Sequence, residues 1–159
     1  MRTPYCVIMA GGIGSRFWPM STEETPKQFL DFLGNGESLI QQTYKRVRRI
    51  FEPEHILVVT HTNYRLQTIA HLPELPEYNI ILEPLRRNTA PCIAYAALKI
   101  KKRDHKANIF ITPADHLISD EDTFETQIRI GLEKTEKSNC FVTIGIKPHK
   151  PETGYGYIQ

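Results

Sequence analysis

The stretch AGGIGSRFWPMSTEETPKQF, residues 10–29, sets Gly11, Gly12 and Gly14 directly after the apolar run YCVIMA and carries Arg16 and Lys27 on the same loop. Glycine leaves backbone N–H groups open to close approach, because no Cβ stands in front of them. Arg16 offers a guanidinium fork and Lys27 a point charge, the two ways a side chain neutralises phosphate oxygens. Together they suit a nucleoside triphosphate. The loop is not a P-loop, in which Lys and Ser/Thr open a helix; here Arg16 is followed by Phe-Trp-Pro. GGIG also lacks the GxGxxG spacing of a dinucleotide fingerprint, and a proline-containing loop stands where that motif's helix should begin.

Three further segments carry groups of interest. In ITPADHLI (111–118), Asp115 follows an apolar run and can hold Mg²⁺ that bridges phosphate oxygens, or can cap a turn or helix. His116 beside it reads as structural, since a hard cation on phosphates does not require imidazole. In EPLRRNTAPCI (83–93), Asn88 caps a helix or hydrogen-bonds a base edge, and the two roles are compatible. Arg86 and Arg87 read as solvent-facing charges. In PETGYGYIQ (151–159), Gly154 and Gly156 either let backbone approach a ligand flanked by Tyr155 and Tyr157, or mark a bulge or bend.

These segments need a scaffold that brings them to one place. YCVIMA (5–10), ILVVT (56–60), NIILE (79–83), NIFIT (108–112) and CFVTIGI (140–146) read as buried strands, and GYGYIQ as the start of another. Between them lie amphipathic stretches at 38–51, 62–71, 88–104 and 120–137. Ser38 is placed to cap the first, Pro91 falls in the first turn of the third, and acids open and lysines close the fourth. The β-α alternation with continuous apolar strands predicts an α/β protein, a three-layer, doubly wound, mostly parallel sheet covered on both faces. In such sheets ligands bind at the carboxyl ends of the strands, where residues 10–29 and Asp115 would both lie.

The 159 residues suffice for one domain, 1–159, but the chain stops inside an expected strand, so the remainder of the domain is expected to be missing. Charged residues make up 24% and the net charge is +2, too balanced to suggest nucleic acid as a partner. No apolar run is long enough for a signal peptide or a membrane span, so a cytoplasmic protein is expected. Cys6, Cys92 and Cys140 sit in apolar contexts without CxxC pairing and read as buried thiols of a reducing compartment.

GGIGSRFWPMSTEETPKQF resembles the signature of the sugar-nucleotide pyrophosphorylases. With EPLRRNTAPCIA, TPADHLI and GIKPHKPETGYGYI in order along nearly the whole chain, the resemblance is to the mannose-1-phosphate guanylyltransferase branch. Family members usually have Thr where this chain has Ser15 and Leu where it has Phe17, both mild changes. The resemblance implies a Rossmann-like nucleotidyltransferase fold and a Mg²⁺-dependent enzyme forming GDP-mannose and pyrophosphate from GTP and mannose 1-phosphate. It implies Arg16 at the β/γ-phosphates, Lys27 near the α-phosphate and the sugar phosphate, and Asp115 as metal ligand. Ala10, Gly11, Gly12, Gly14 and Ser15 would line the nucleotide, with Glu83, Pro84 and Asn88 around the base. Gly154, Tyr155 and Gly156 would line the sugar. A homo-oligomer is compatible with the resemblance. The family's second metal-binding Asp and its C-terminal part have no counterpart in residues 1–159. The rival readings are a uridylyl- or cytidylyltransferase of the same superfamily, and a nucleotide-binding fragment or regulatory module without turnover.

Overall fold

The computed structural model describes residues 2–14, 17–151, 153–154 and 156–157. Four strands, β1 (Pro4–Met9), β2 (Ile56–His61), β3 (Ile80–Glu83) and β4 (Asn108–Pro113), form one parallel sheet in the order β3-β2-β1-β4. Helices α1 (Leu39–Arg48), α2 (Arg65–His71), α3 (Thr89–Arg103) and α4 (Glu121–Lys137) connect or follow them. This is the expected α/β architecture, with β1 in the interior of the sheet.

Alternate residues of each central strand enter opposite cores. Cys6, Ile8, Ile56 and Val58 pack with Ile40, Tyr44, Val47, Phe51 and Ile128 on the face covered by α1 and α4. Tyr5, Val7, Leu57 and Val59 pack with Cys92, Ala96 and Ile100 of α3 on the other. Ile56, Leu57, Val58 and Val59 are all fully buried, which explains why β2 reads as an unbroken apolar run. Each such side chain contributes about 1.5–3 kcal/mol by leaving water.

The helix ends follow local chemistry. Before α1, the Ser38 N–H donates to Gln41 Oε1 at 2.8 Å, satisfying an otherwise unpaired amide. Before α4, Asp120 Oδ1 accepts from the Thr123 N–H at 2.9 Å. Glu121 and Asp122 follow in the first turn, and Lys134 and Lys137 sit in the last, in keeping with the helix dipole.

Residues 140–146 are not a strand, contrary to the sequence reading. Phe141 is 105% exposed and Ile146 83%, and no strand pairs with this segment among the described residues. An apolar, β-branched run becomes a strand only where a neighbour supplies hydrogen bonds and a face to bury against. Here α4 ends at Lys137 and the following chain finds neither. Cys140 is correspondingly exposed rather than buried, whereas Cys6 and Cys92 are buried as expected. Gly154, Gly156 and Tyr157 also lie outside any strand; Tyr155, Ile158 and Gln159 fall outside the described residues. Among the described residues, no helix is long and apolar enough to cross a membrane.

Candidate functional site

Because the strands are parallel and in register, with Met9 opposite Val59 and Pro113, and His61 opposite Glu83, their carboxyl ends share one edge. The glycine loop leaves β1 there. Its exit is fixed at Ala10, whose N–H donates to Val59 O at 2.8 Å. The Ala10 carbonyl accepts from Gln28 Nε2 at 2.8 Å and from Thr60 Oγ1 at 3.0 Å. Both donors are buried. Beyond this anchor the N–H groups of Gly11, Gly12 and Ile13 have no hydrogen-bond partner among the described residues. Open amides in succession at a sheet edge are groups that can donate to an anion.

Geometry favours glycine at one position of the loop and demands it at another. At Gly11 a Cβ would lie 3.2 Å from Glu83 Oε2. At Gly14, φ is +76°, and a Cβ would meet Lys27 Cγ at 2.7 Å and Ser21 Oγ at 2.8 Å. Ser21 is itself committed, donating to Ile13 O at 2.6 Å. The loop therefore folds back so that Gly14 lies against the stem of Lys27.

Lys27 opens a 3-10 turn, Lys27–Phe29. Phe29 is in the core and Gln28 reaches Ala10, so the turn is pinned to the end of β1. Lys27 Nζ forms an ion pair with Asp115 Oδ2 and lies 5.7 Å from the centroid of the Phe17 ring. Asp115 follows β4 on a segment held from two sides. Ala114 N–H donates to Met9 O at 3.0 Å, and Thr43 Oγ1 of α1 donates to Ala114 O at 3.0 Å. Buried Arg46 of α1 donates to His116 O at 3.4 Å and to Glu121 Oε1 at 3.2 Å. The side chains of Lys27 and Asp115 are 24% and 21% exposed, so both remain reachable. Asp115 does not cap α4; Asp120 does.

Glu83 ends β3 at 9% exposure. Burial pushes its carboxyl above the usual carboxylate range, while His61 and a hydrogen bond from the Cys92 thiol act in the opposite direction. The Cys92 thiol is in turn pushed up to about 11, mainly by burial and then by the Glu83 charge. Asn88 stands at the N-cap position of α3 with φ 65°, but its side chain makes no capping bond. The expected side-chain capping by Asn88 is therefore absent. Pro84 is exposed beside it.

The structure thus brings Ala10, Gly11, Gly12, Gly14, Lys27, Glu83 and Asp115 to one edge. Ser15 and Arg16 fall outside the described residues, as does Tyr155. Gly154 and Gly156 lie in the exposed terminal segment. At Gly156 a Cβ would meet nothing within 4 Å among the described residues, so none of them requires glycine there. The sequence reading missed Gln28, Thr60, Ser21 and Thr43, the polar groups that fix the loops. Only Thr60 carried a signal, as a polar residue closing an apolar strand; Ser21 and Gln28 sit in a polar loop and Thr43 on a mixed helix face.

A donor set for Mg²⁺ can be judged from these groups. No cluster of three or more His, Cys, Asp or Glu side chains able to hold a metal occurs among the described residues. Asp115 already attracts a cation at an open edge. That fits a hard ion held by one carboxylate and completed by substrate phosphates and water.

The chain is 43% identical over 155 residues to a mannose-1-phosphate guanylyltransferase of Escherichia coli, covering 96% of this chain and 32% of the relative. It is 39% identical over 154 residues to the alginate biosynthesis protein AlgA of Pseudomonas aeruginosa, covering 96% and 32%. It therefore spans about a third of these relatives' length. A solved structure described as mannose-1-phosphate geranyltransferase from Thermus thermophilus superposes with a TM-score of 0.72 at 29% identity, over 85% of this chain and 39% of that one. The nucleotidyl transferase family model matches residues 5–159, and the chain belongs to that family.

Proposed function

We propose that this chain is the nucleotide-binding part of a Mg²⁺-dependent mannose-1-phosphate guanylyltransferase, which joins GTP and mannose 1-phosphate into GDP-mannose and releases pyrophosphate. The observation that carries the proposal is the Lys27–Asp115 ion pair beside the open amides of Gly11, Gly12 and Ile13. The likeness to mannose-1-phosphate guanylyltransferases supports the choice of base and sugar. The chemistry belongs in a reducing cytoplasm, in keeping with the buried thiols of Cys6 and Cys92.

The attacking group is a sugar phosphate, already an anion at neutral pH, so no general base is needed. Repulsion between anions and poor alignment set the barrier, and catalysis comes from positioning and charge neutralisation. The glycine-loop amides receive the nucleotide. Lys27 would exchange its carboxylate partner for the α-phosphate and the incoming sugar phosphate, leaving Asp115 as the residue that would hold Mg²⁺. Bound there, Mg²⁺ would supply charge neutralisation on the phosphate oxygens. Arg16 would take the developing pyrophosphate. Glu83, Pro84 and Asn88, at and after the end of β3, would surround the base.

A thermal-shift panel of GTP, UTP, CTP and dTTP, each with and without Mg²⁺, tests the reading. GTP with Mg²⁺ should give the largest rise in Tm. An equal or larger rise with UTP or CTP would move the protein to another branch. Pyrophosphate release from GTP and mannose 1-phosphate then separates turnover from binding alone.

A further inference from the structure

Arg86 lies between β3 and α3, where the sequence suggests only a solvated charge. Its side chain instead turns back over the glycine loop. Nε donates to the Gly11 carbonyl at 3.2 Å, and Nη2 donates to Tyr64 Oη at 2.7 Å. The guanidinium carbon sits 5.3 Å from the centroid of the Tyr64 ring. Tyr64 is a firm post: it is 3% exposed, belongs to the core, and meets the Phe29 ring edge-on at 6.1 Å. Phe29 belongs to the same short turn as Lys27. One guanidinium therefore ties together the turn after β2, the segment after β3 and the loop after β1.

Glu83 Oε2 also bounds the loop, since a Cβ on Gly11 would come within 3.2 Å of it. The Gly11 carbonyl and the Gly12 N–H belong to one planar trans peptide and point in opposite directions. Holding the carbonyl toward Arg86 thereby aims the Gly12 N–H away from it. Glycine at both positions would otherwise leave this peptide free to rotate.

We infer that Arg86 is a positioning residue that fixes the Gly11–Gly12 peptide through the Gly11 carbonyl, so that the Gly12 N–H is presented to the nucleotide in one orientation. The inference rests on the nucleotide reading of the loop for its consequence, but not for the tether itself. Arg86 is exposed, so its removal should leave the fold in place, and unchanged Tm would show this.

The test has two arms on the same variants, Arg86→Ala, Arg86→Lys and Tyr64→Phe. In the first, ¹⁵N relaxation of the free protein reports the Gly12 amide. It should be rigid in the unaltered chain, with an order parameter near 0.85, and fall below about 0.6 in Arg86→Ala. Arg86→Lys, which can still donate to a carbonyl, should recover part of the order, and Tyr64→Phe should lose part of it. In the second, titration with GTP and Mg²⁺ should show Arg86→Ala binding about fivefold more weakly, because only a fraction of its loop is binding-competent at any moment. An unchanged Gly12 order parameter in Arg86→Ala overturns the tether. A loosened loop with unchanged GTP affinity overturns its role in binding. If the unaltered chain does not bind GTP, the proposed function fails, while the relaxation arm still decides the tether.

Discussion

Replacing Gly14 by alanine should be the most damaging methyl addition in the protein. The backbone there has φ +76°, a region that costs an L-residue roughly 1–2 kcal/mol. The new methyl would also lie 2.7 Å from Lys27 Cγ, 2.8 Å from Lys27 Cβ and 2.8 Å from Ser21 Oγ. These atoms cannot all yield quietly. Ser21 donates to Ile13 O, a bond worth about 0.5–1.5 kcal/mol net, and Lys27 is pinned next to buried Gln28. Strain and lost contacts together should destabilise the fold by about 2–4 kcal/mol. Urea unfolding followed by far-UV circular dichroism would measure it. Gly12→Ala is the internal control. A Cβ there meets nothing within 4 Å among the described residues and no positive φ is involved, so stability should change by less than about 0.5 kcal/mol. Nucleotide binding should nevertheless fall, because the methyl would stand where phosphate approaches. The reasoning fails if Gly14→Ala unfolds within about 0.5 kcal/mol of the unaltered chain, or if Gly12→Ala is the worse of the two.

In a longer version of the protein that carries the proposed guanylyl transfer, Lys27→Ala should lower kcat on the order of 10²-fold, as for loss of one electrostatic stabiliser. Its effect on stability should stay under about 1 kcal/mol, because the Lys27–Asp115 pair is partly exposed and screened. Asp115→Asn should abolish the Mg²⁺ dependence of the nucleotide-induced Tm rise while leaving the Tm of the free protein nearly unchanged; parallel loss of both would point to a structural Asp115. Thr43→Val removes the donor to Ala114 O and leaves a buried carbonyl unpaired. It should cost about 1–3 kcal/mol in denaturant titrations and weaken Mg²⁺ binding through the displaced Asp115. Glu83 has a carboxyl raised by burial, so the native state holds more protons than the unfolded chain between the ordinary and the raised value. Its contribution to stability therefore falls as pH rises through that window. Glu83→Gln should flatten the pH dependence of Tm there; a steeper curve would contradict the assignment.

The parallel sheet and its helices were readable from residue types because each element satisfies its own pattern. Ile56–Val59 is apolar without interruption because both faces are covered, and Ile40, Thr43 and Val47 recur at the helical spacing that α1 buries. Residues 140–146 carry the same β-branched signal and make no strand. Periodicity reports what a segment prefers, whereas a strand also needs a partner that local composition does not specify. The glycine loop, Lys27 and Asp115 were visible because their chemistry is unusual for their setting. Arg86 was not, since a guanidinium between two loops looks like any surface arginine until Tyr64 and the Gly11 carbonyl are found beside it. Thr43 likewise reads as a small helix-face residue, and only the fold reveals that its hydroxyl holds the Asp115 segment.

The position of β1 has a consequence for how the protein reaches its native state. The strand that carries the glycine loop is the earliest in the chain, yet its neighbours are β2, from residue 56, and β4, from residue 108. Until both have been made, β1 presents unpaired edges and an apolar surface to whatever is nearby. Pairings this distant along the chain form slowly and leave the nascent polypeptide open to aggregation. The loop at the end of β1 thus acquires its shape late, when Ala114 reaches the Met9 carbonyl. A ribosome-bound chain shorter than that should be a substrate for chaperones rather than for nucleotides.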